Sequence, residues 1–276
     1  MSDYDFIIDN MTWSFSRLES FDQCPLAWKM KYIDCEHGEG NAFSSYGSFV
    51  HGLLEQYLKG NIMPLELAFL YENGFDEAVP EDFPPNKYVD MRESYFYKGL
   101  EYFENFEDVL DEEYEVLGVE KEVRFEIDGN EFVGFIDLLA KDLDGKIIVV
   151  DHKSASLKWT KTGRISKQSA QKMESYKRQL YLYCKALIDD GIQPDYLCWN
   201  FFNDKRLYKI LFDPTEYEDA LQWATETIDR IRATEEFEHH EDWYFCHNIC
   251  DMRNLCEYCV WEKPDAEEEG DKWYGN

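Results

Sequence analysis

The spacing of apolar residues changes character near residue 116. Upstream the period is helical. SFSRLESFDQCPLAWKMKYI, from Ser14 to Ile33, predicts two short helices divided at Pro25, which cannot continue the first. Ser14 or Ser16 offers the N-cap, and Glu19 stands three residues after Ser16 in capping-box register. The residues before this segment read as a turn. Residues 36–48 are rich in Gly and Ser and predict a loop. GSFVHGLLEQYLKG then carries apolar positions at helical spacing as far as Gly60. Residues 61–115 stay helical in pattern and strongly acidic, interrupted at Pro80, Pro84 and Pro85. The pattern predicts a helical insertion over 53–115.

Downstream the period shortens. VLGVEKEVRFEI, EFVGFIDLLAK and KIIVVDHK are β-rich runs separated by Asp128-Gly129-Asn130 and by Asp142-Leu143-Asp144-Gly145, as hairpin turns would separate them. A polar loop over about 154–168 leads to a helix over 169–189. DYLCWNFF and RLYKILF predict two more strands around Asn203-Asp204, and a helix covers 215–234. No repeat is visible, so residues 1–276 read as one α/β domain.

Composition narrows this. Apolar residues are 44% and aromatic residues 17% of the chain, which argues against a mostly disordered protein. No apolar run approaches the roughly 18 residues needed to cross a bilayer. The opening MSDYDFIIDN has three acids and no base, unlike a secretory signal. Both points predict a cytoplasmic chain with no membrane partner. Its eight cysteines are then expected to be reduced, and clustered ones point to metal or catalysis.

Fifty-eight acids against 28 bases leave a net charge of −30, which by itself argues against a polyanion partner. Its distribution argues otherwise. Residues 152–188 hold nine bases (Lys153, Lys158, Lys161, Arg164, Lys167, Lys172, Lys177, Arg178 and Lys185) and one acid, Glu174. That strip is +8 and the remainder −38. A basic strip on an acidic body is a candidate polyanion track, although a solvated lysine-rich face has the same composition.

Asp137 lies within the apolar run GFIDLLA, and a buried carboxylate needs a partner or a cation. The next strand runs into Asp151-His152-Lys153. Strand alternation puts Asp151 and Lys153 on one face, and a hairpin can bring Asp137 beside them. Two carboxylates and a backbone carbonyl suit a hard cation, and a lysine beside them can activate water or neutralise a phosphate. An Asp–Lys ion pair at a strand end is the plainer alternative. Gln179 and Tyr183 share a helix face, as do His51 and Glu55.

The order of these motifs resembles the RecB-type branch of the PD-(D/E)XK nucleases. That branch has a histidine on a helix, an Asp on one strand, (Asp/Glu)-x-Lys on the next, and a Gln-x-x-x-Tyr helix. Here these are GSFVHGLLEQYL, GFIDLLA, DHK and QLYLY, and the opening segment with its Cys-Pro is also similar. The resemblance spans residues 13–256. It implies a restriction-endonuclease-like mixed sheet flanked by helices. It further implies His51, Asp137, Asp151 and the His152 carbonyl as ligands of one or two Mg²⁺ or Mn²⁺ ions. Lys153 would be the catalytic lysine, acting with Asp137 and Asp151. Gln179 and Tyr183 would shape the site or hold the strand, and the basic strip, tested at Lys177 and Arg178, would lead DNA across it. Glu120 matches an acidic position frequent in the family, but VEKEVRFE offers several glutamates, and an exposed strand carboxylate is the equal alternative. Glu55 reads as a solvated helix residue.

Cys246, Cys250, Cys256 and Cys259 fall within 14 residues of the segment 240–262, and Cys24 precedes Pro25. Iron–sulfur members of the branch hold a 4Fe–4S cluster with one N-terminal and three C-terminal cysteines. The resemblance implies Cys24, Cys246, Cys250 and Cys256, with Cys259 in reserve because the first gap is one residue longer than usual. Zinc on four cysteines, or on three and His247, is the alternative. Cys35, Cys184 and Cys198 read as ordinary cysteines. The activity implied is a metal-dependent deoxyribonuclease, an exonuclease on single-stranded DNA ends, similar to stand-alone CRISPR-associated or phage enzymes. No Walker A motif is present, so any helicase, recombination or CRISPR-adaptation partner would be a separate protein. The rival reading is a non-catalytic DNA-binding or scaffold protein bearing the same iron–sulfur or zinc centre.

Overall fold

The computed structural model describes residues 4–259. The chain opens with α1 (Asp5–Asp9), α2 (Phe15–Gln23) and α3 (Pro25–Tyr32), followed by α4 (Ala42–Leu58), α5 (Pro64–Ala78) and α6 (Met91–Glu104). Strands β1 (Tyr114–Ile127), β2 (Asn130–Asp142) and β3 (Ile147–Lys153) come next. Helix α7 (Ala170–Asp189), strands β4 (Tyr196–Phe201) and β5 (Arg206–Leu211), and helix α8 (Pro214–Ala233) follow, and a π-helical turn (Phe245–Ile249) lies in the cysteine-rich segment.

The sheet order is β1-β2-β3-β4-β5. β1, β2 and β3 form an antiparallel meander, β4 pairs parallel to β3 after the α7 crossover, and β5 returns antiparallel. The first hairpin is set by Asp128 and Gly129, whose φ values of 48° and 78° are both left-handed, as a type I′ turn requires.

Both faces of the sheet are covered. On one, Phe132, Leu139, Val149, Leu197 and Trp199 pack with residues of α2, α3, α7 and α8. On the other, Leu138, Ala140, Ile148, Val150 and Cys198 pack with α4, α5 and α6. Double coverage explains why Ile147-Ile148-Val149-Val150 is continuously apolar rather than alternating. The segment 53–115 thus supplies most of one helical layer.

Two boundaries differ from the sequence reading. The opening residues form a helical turn, α1. The Gly/Ser-rich stretch is a loop only to residue 41, because Asn41 and Ser44 form a reciprocal capping box that starts α4 at Ala42. Ser14 is the cap of α2, its side chain accepting from the Arg17 N–H. Glu19 does not complete a box with Ser16 but accepts a hydrogen bond from Ser175 on α7. The last positions of the cysteine-rich segment, 260–262, lie outside the described residues.

Candidate active site

The β2–β3 ladder ends at Leu138↔Val150. Asp137 and Asp151 are the next opposed positions, where the strands part. The His152 N–H therefore donates to the Asp137 carboxylate, at 2.7 Å, instead of to a strand carbonyl. On β1, the residue facing this opening is Glu120, with φ +49°. That left-handed step is costly for a non-glycine residue. It also changes the facing of the strand: Val119 packs with the α4–α6 core, whereas Val123, Phe125 and Ile127 pack with the other. β2 switches at the same level, with Ile136 in one core and Leu138 in the other. The distortion turns Glu120 and Asp137 toward a common point.

α4 supplies the third group. His51 Nε2 lies 2.8 Å from the His152 carbonyl oxygen, and Nδ1 lies 3.5 Å from Asp137. Ligand atoms of His51, Glu120 and Asp137 all fall within 4.8 Å of one another. Asp151 sits beside this trio, 3% exposed, and its Oδ2 lacks a well-oriented hydrogen bond although the Lys153 ammonium is 2.9 Å away. Burial pushes the Asp137 carboxyl up to about 7, opposed by the His152 N–H and by Lys153. Burial also pushes Asp151 up to about 6, with Lys153 opposing and Asp137 adding to the rise. Glu120 is raised mainly by burial, and burial holds His51 below its ordinary value. One imidazole, three carboxylates and a carbonyl oxygen, crowded and under-neutralised, fit a hard divalent cation such as Mg²⁺ or Mn²⁺.

Lys153 is held from three sides. Its Nζ donates to Asp151 Oδ1 at 3.1 Å and to Gln179 Oε1 at 2.7 Å, and lies 4.6 Å from the centre of the Tyr176 ring. Gln179 Nε2 is 3.5 Å from the Tyr183 hydroxyl, and the Tyr183 ring lies flat against Gly134 of β2. The His152 side chain points away from the cation position. It is buried, with Nδ1 3.3 Å from Asn200 Nδ2, which donates to the Tyr102 hydroxyl.

The structure thus brings His51, Asp137, Asp151, the His152 carbonyl, Lys153, Gln179 and Tyr183 together. It adds Glu120, one of several glutamates in its strand, singled out by backbone geometry that composition does not carry. It also adds Tyr176, for which the cationic neighbour is the only signal. Lys177 faces elsewhere, pairing with Glu216 at 2.7 Å and Glu174 at 3.4 Å, and Arg178 lies over the Trp223 ring in a cleft on the other side of Tyr176. Lys158, Lys161, Arg164, Lys167 and Lys172 are exposed and pair with no carboxylate among the described residues. Three of them stand on or beside a small hairpin closed by the Trp159↔Ile165 bridge, whose Leu157 and Trp159 N–H groups both donate to Asp204.

Five cysteines meet at the opposite end of α2. Cys24 caps α3, and its sulfur accepts N–H bonds from Ala27 and His240, each at 3.4 Å. Burial pushes the Cys250 thiol up to about 11, with Cys24, Cys246 and Cys256 adding to the rise. Cys246 is raised by burial and by Cys24 and Cys256. Cys259 feels Cys256, Cys246 and Cys250. The C-terminal segment is tied down by Asn41, which donates to the Ile249 carbonyl, and by Lys31 with Asp251. It passes so close to Gly38 that a Cβ there would meet the Asp251 carbonyl oxygen at 2.4 Å. Cys184 and Cys198 are buried elsewhere and Cys35 is exposed.

No described helix is long and apolar enough to cross a membrane. No curated protein matches the chain. The crystal structure of a "Putative exonuclease" from Eubacterium rectale is similar in fold, with a TM-score of 0.52 at 15% identity, covering 97% of this chain and 96% of that one. The structure of SSO0001 covers 78% of this chain and 98% of its own at 14% identity, with a TM-score of 0.32, too low to carry an argument. The family model of the PD-(D/E)XK nuclease superfamily matches residues 12–257, and the five-stranded mixed sheet with its flanking helices is the restriction-endonuclease-like core. The chain belongs to the PD-(D/E)XK nuclease superfamily.

Proposed function

We propose that the protein is a metal-dependent deoxyribonuclease that acts as an exonuclease on single-stranded DNA ends. The observation that carries the reading is the convergence of Asp137, Asp151, Lys153, His51 and Glu120 where β2 and β3 part. A divalent cation held by those carboxylates, His51 and the His152 carbonyl would polarise the phosphodiester and lower the pKa of water. Lys153 presents its ammonium to the attacking water and to the charge developing on the phosphate. Gln179, Tyr176 and Asp151 keep that ammonium in place. Water attacks phosphorus in line, the bond to the 3′-oxygen breaks, and the released strand carries a 5′-phosphate. The unpaired bases between Lys158 and Lys172 would guide the backbone toward Lys153. Single-strand preference and the exonuclease mode rest on the RecB-type resemblance, as does a phage or CRISPR-type setting with a motor or recombination partner.

The cysteine set is proposed as the ligands of a 4Fe–4S cluster, Cys24, Cys246, Cys250 and Cys256, tying α2 and α3 to the C-terminal segment. Two N–H groups donate to the Cys24 sulfur at the start of α3 and aim it at the C-terminal cysteines.

The test is cleavage of 5′- and 3′-labelled single-stranded DNA with Mg²⁺ or Mn²⁺, with and without chelator. Wild type should cut only with the metal, and Lys153→Ala should be slower by about 10²–10³-fold. The label pattern reports the polarity. Absence of cutting by folded, metal-replete wild type would overturn the proposal in favour of a non-catalytic binding protein.

A further inference from the structure

Behind the candidate active site a cleft of about 590 Å³ opens between α2, the start of α7, and α8. Its volume suits a nucleotide-sized ligand. Tyr176 forms the partition: its ring lines the cleft and also sits 4.6 Å from the Lys153 ammonium. Whatever fills the cleft is therefore one ring thickness from the catalytic lysine proposed above.

The walls have the chemistry of a base and its phosphate. Trp223 is fixed by a 3.1 Å hydrogen bond from its Nε1 to Asp22, and Phe15 packs against it at 5.8 Å. The side-chain amides of Gln23, Gln168 and Gln171 line the cleft and have no hydrogen-bond partner among the described residues. Free amides offer donors and acceptors together, as a base edge requires. Both acids present are committed. Asp22 accepts from Trp223 and from Arg230, and Glu19 accepts from Ser175. Two cations, Lys172 and Arg178, form no salt bridge among the described residues, although Glu19 acts on Lys172 electrostatically from across the cleft. Arg178 is already aligned over the Trp223 ring at 5.1 Å.

We propose that this cleft is a nucleotide subsite, which takes one unpaired nucleotide next to the scissile phosphodiester. The base would stack on the aromatic wall with its edge on the glutamine amides, and its phosphate would meet Lys172 and Arg178. An end that must be unpaired to enter would then be selected by shape, whatever its sequence. The inference rests on the nuclease reading for its role but not for its binding.

The test uses two short single-stranded oligonucleotides, with 2-aminopurine at the 5′ or the 3′ end, titrated into the full chain in chelator so that nothing is cut. Wild type should quench one probe by stacking. Gln171→Ala/Lys172→Ala, two exposed positions, should abolish that quench and weaken binding about tenfold, with the melting temperature unchanged. In Mg²⁺ the loss should sit in KM rather than in kcat. Wild type that quenches neither probe, or a variant with full quench and wild-type KM, would overturn the subsite. Wild type that quenches but never cuts would refute the nuclease reading and leave the subsite standing.

Discussion

Gly134→Ala is the smallest change that should reach Lys153 without touching a charged group. A Cβ at Gly134 would lie 2.3 Å from Tyr183 Cε1, 2.6 Å from Cδ1 and 2.9 Å from Cζ. Carbon atoms in contact prefer about 3.5–4.0 Å, so the ring must retreat by about 1 Å. Tyr183 is 8% exposed within the core shared by α2, α7 and α8, so it cannot swing into solvent. Overpacking of this kind costs about 1–3 kcal/mol. At about 2–4 °C per kcal/mol for a chain of this size, melting should fall by roughly 2–12 °C. The ring's hydroxyl is already at the limit of its hydrogen bond to Gln179, whose other end holds Lys153. A misplacement of about 1 Å at a reacting group can cost roughly 10²-fold in rate, so kcat should fall by about 10- to 100-fold. Affinity for Mn²⁺ should hold, because the displaced ring belongs to α7, whereas His51, Glu120 and Asp137 stand on α4, β1 and β2. The assay is urea unfolding, steady-state cleavage and Mn²⁺ titration on one preparation. Tyr183→Leu in the same chain should recover stability, with a coupling above about 1 kcal/mol in the double-mutant cycle. Strictly additive effects, or a variant with normal melting and normal rate, would refute the mechanical link from β2 to Lys153.

Raised carboxyls at Asp137 and Asp151 have a defined pH signature. The metal-free fold gains their contribution in full below about pH 4 and loses it as pH climbs through about 6 to 7, where the folded state must give up protons the unfolded chain has already released. Divalent-cation affinity should therefore rise over the same window with proton release, and calorimetry in two buffers of different ionisation enthalpy would detect its absence. Cys24→Ala should lose iron and melt at lower temperature, whereas Cys259→Ala should keep its iron; the reverse pattern in metal analysis would reassign the ligands. Lys161→Ala/Arg164→Ala should lower the salt slope of single-strand binding by about 0.7 per lost phosphate contact. Lys177→Ala, whose ammonium is tied to Glu216 and Glu174, should change that slope less and stability more; equal slopes would sink the distinction.

Much of the fold was legible because its strands are bounded by strong turn chemistry. Asp128-Gly129 adopts the left-handed pair that its sequence predicts, and the Ile147–Val150 run is apolar because helices cover both faces. The candidate site was legible where it follows local period, as for Asp151 with Lys153 and Gln179 with Tyr183. It was not legible where one strand acts on another. Glu120 is chosen by a backbone twist that depends on its pairing with β2, and Lys177 is neutralised by Glu216, which sits on α8. The early start of α4 had a local signal in Asn41 and Ser44, masked by the glycines and serines around it.

Part of the acidic excess behind the net charge of −30 lies across the sheet from the basic strip. Segment 53–115 carries 17 acids and four bases and supplies most of the α4–α6 layer. The unpaired bases from Lys158 to Lys172 belong to the side packed with α7. At about 0.15 M salt the screening length is about 8 Å, shorter than the path through a sheet and a helix layer, so a strand at the basic side senses mostly its near charges. At about 0.01 M the length grows to about 30 Å and the acidic layer comes into range. Binding of single-stranded DNA should therefore weaken with added salt above physiological strength, as counterion release demands, yet level off or fall as salt is removed below it. A log–log plot that stays straight down to the lowest salt would mean that the acidic layer exerts no long-range repulsion, and the separation argued here would be wrong.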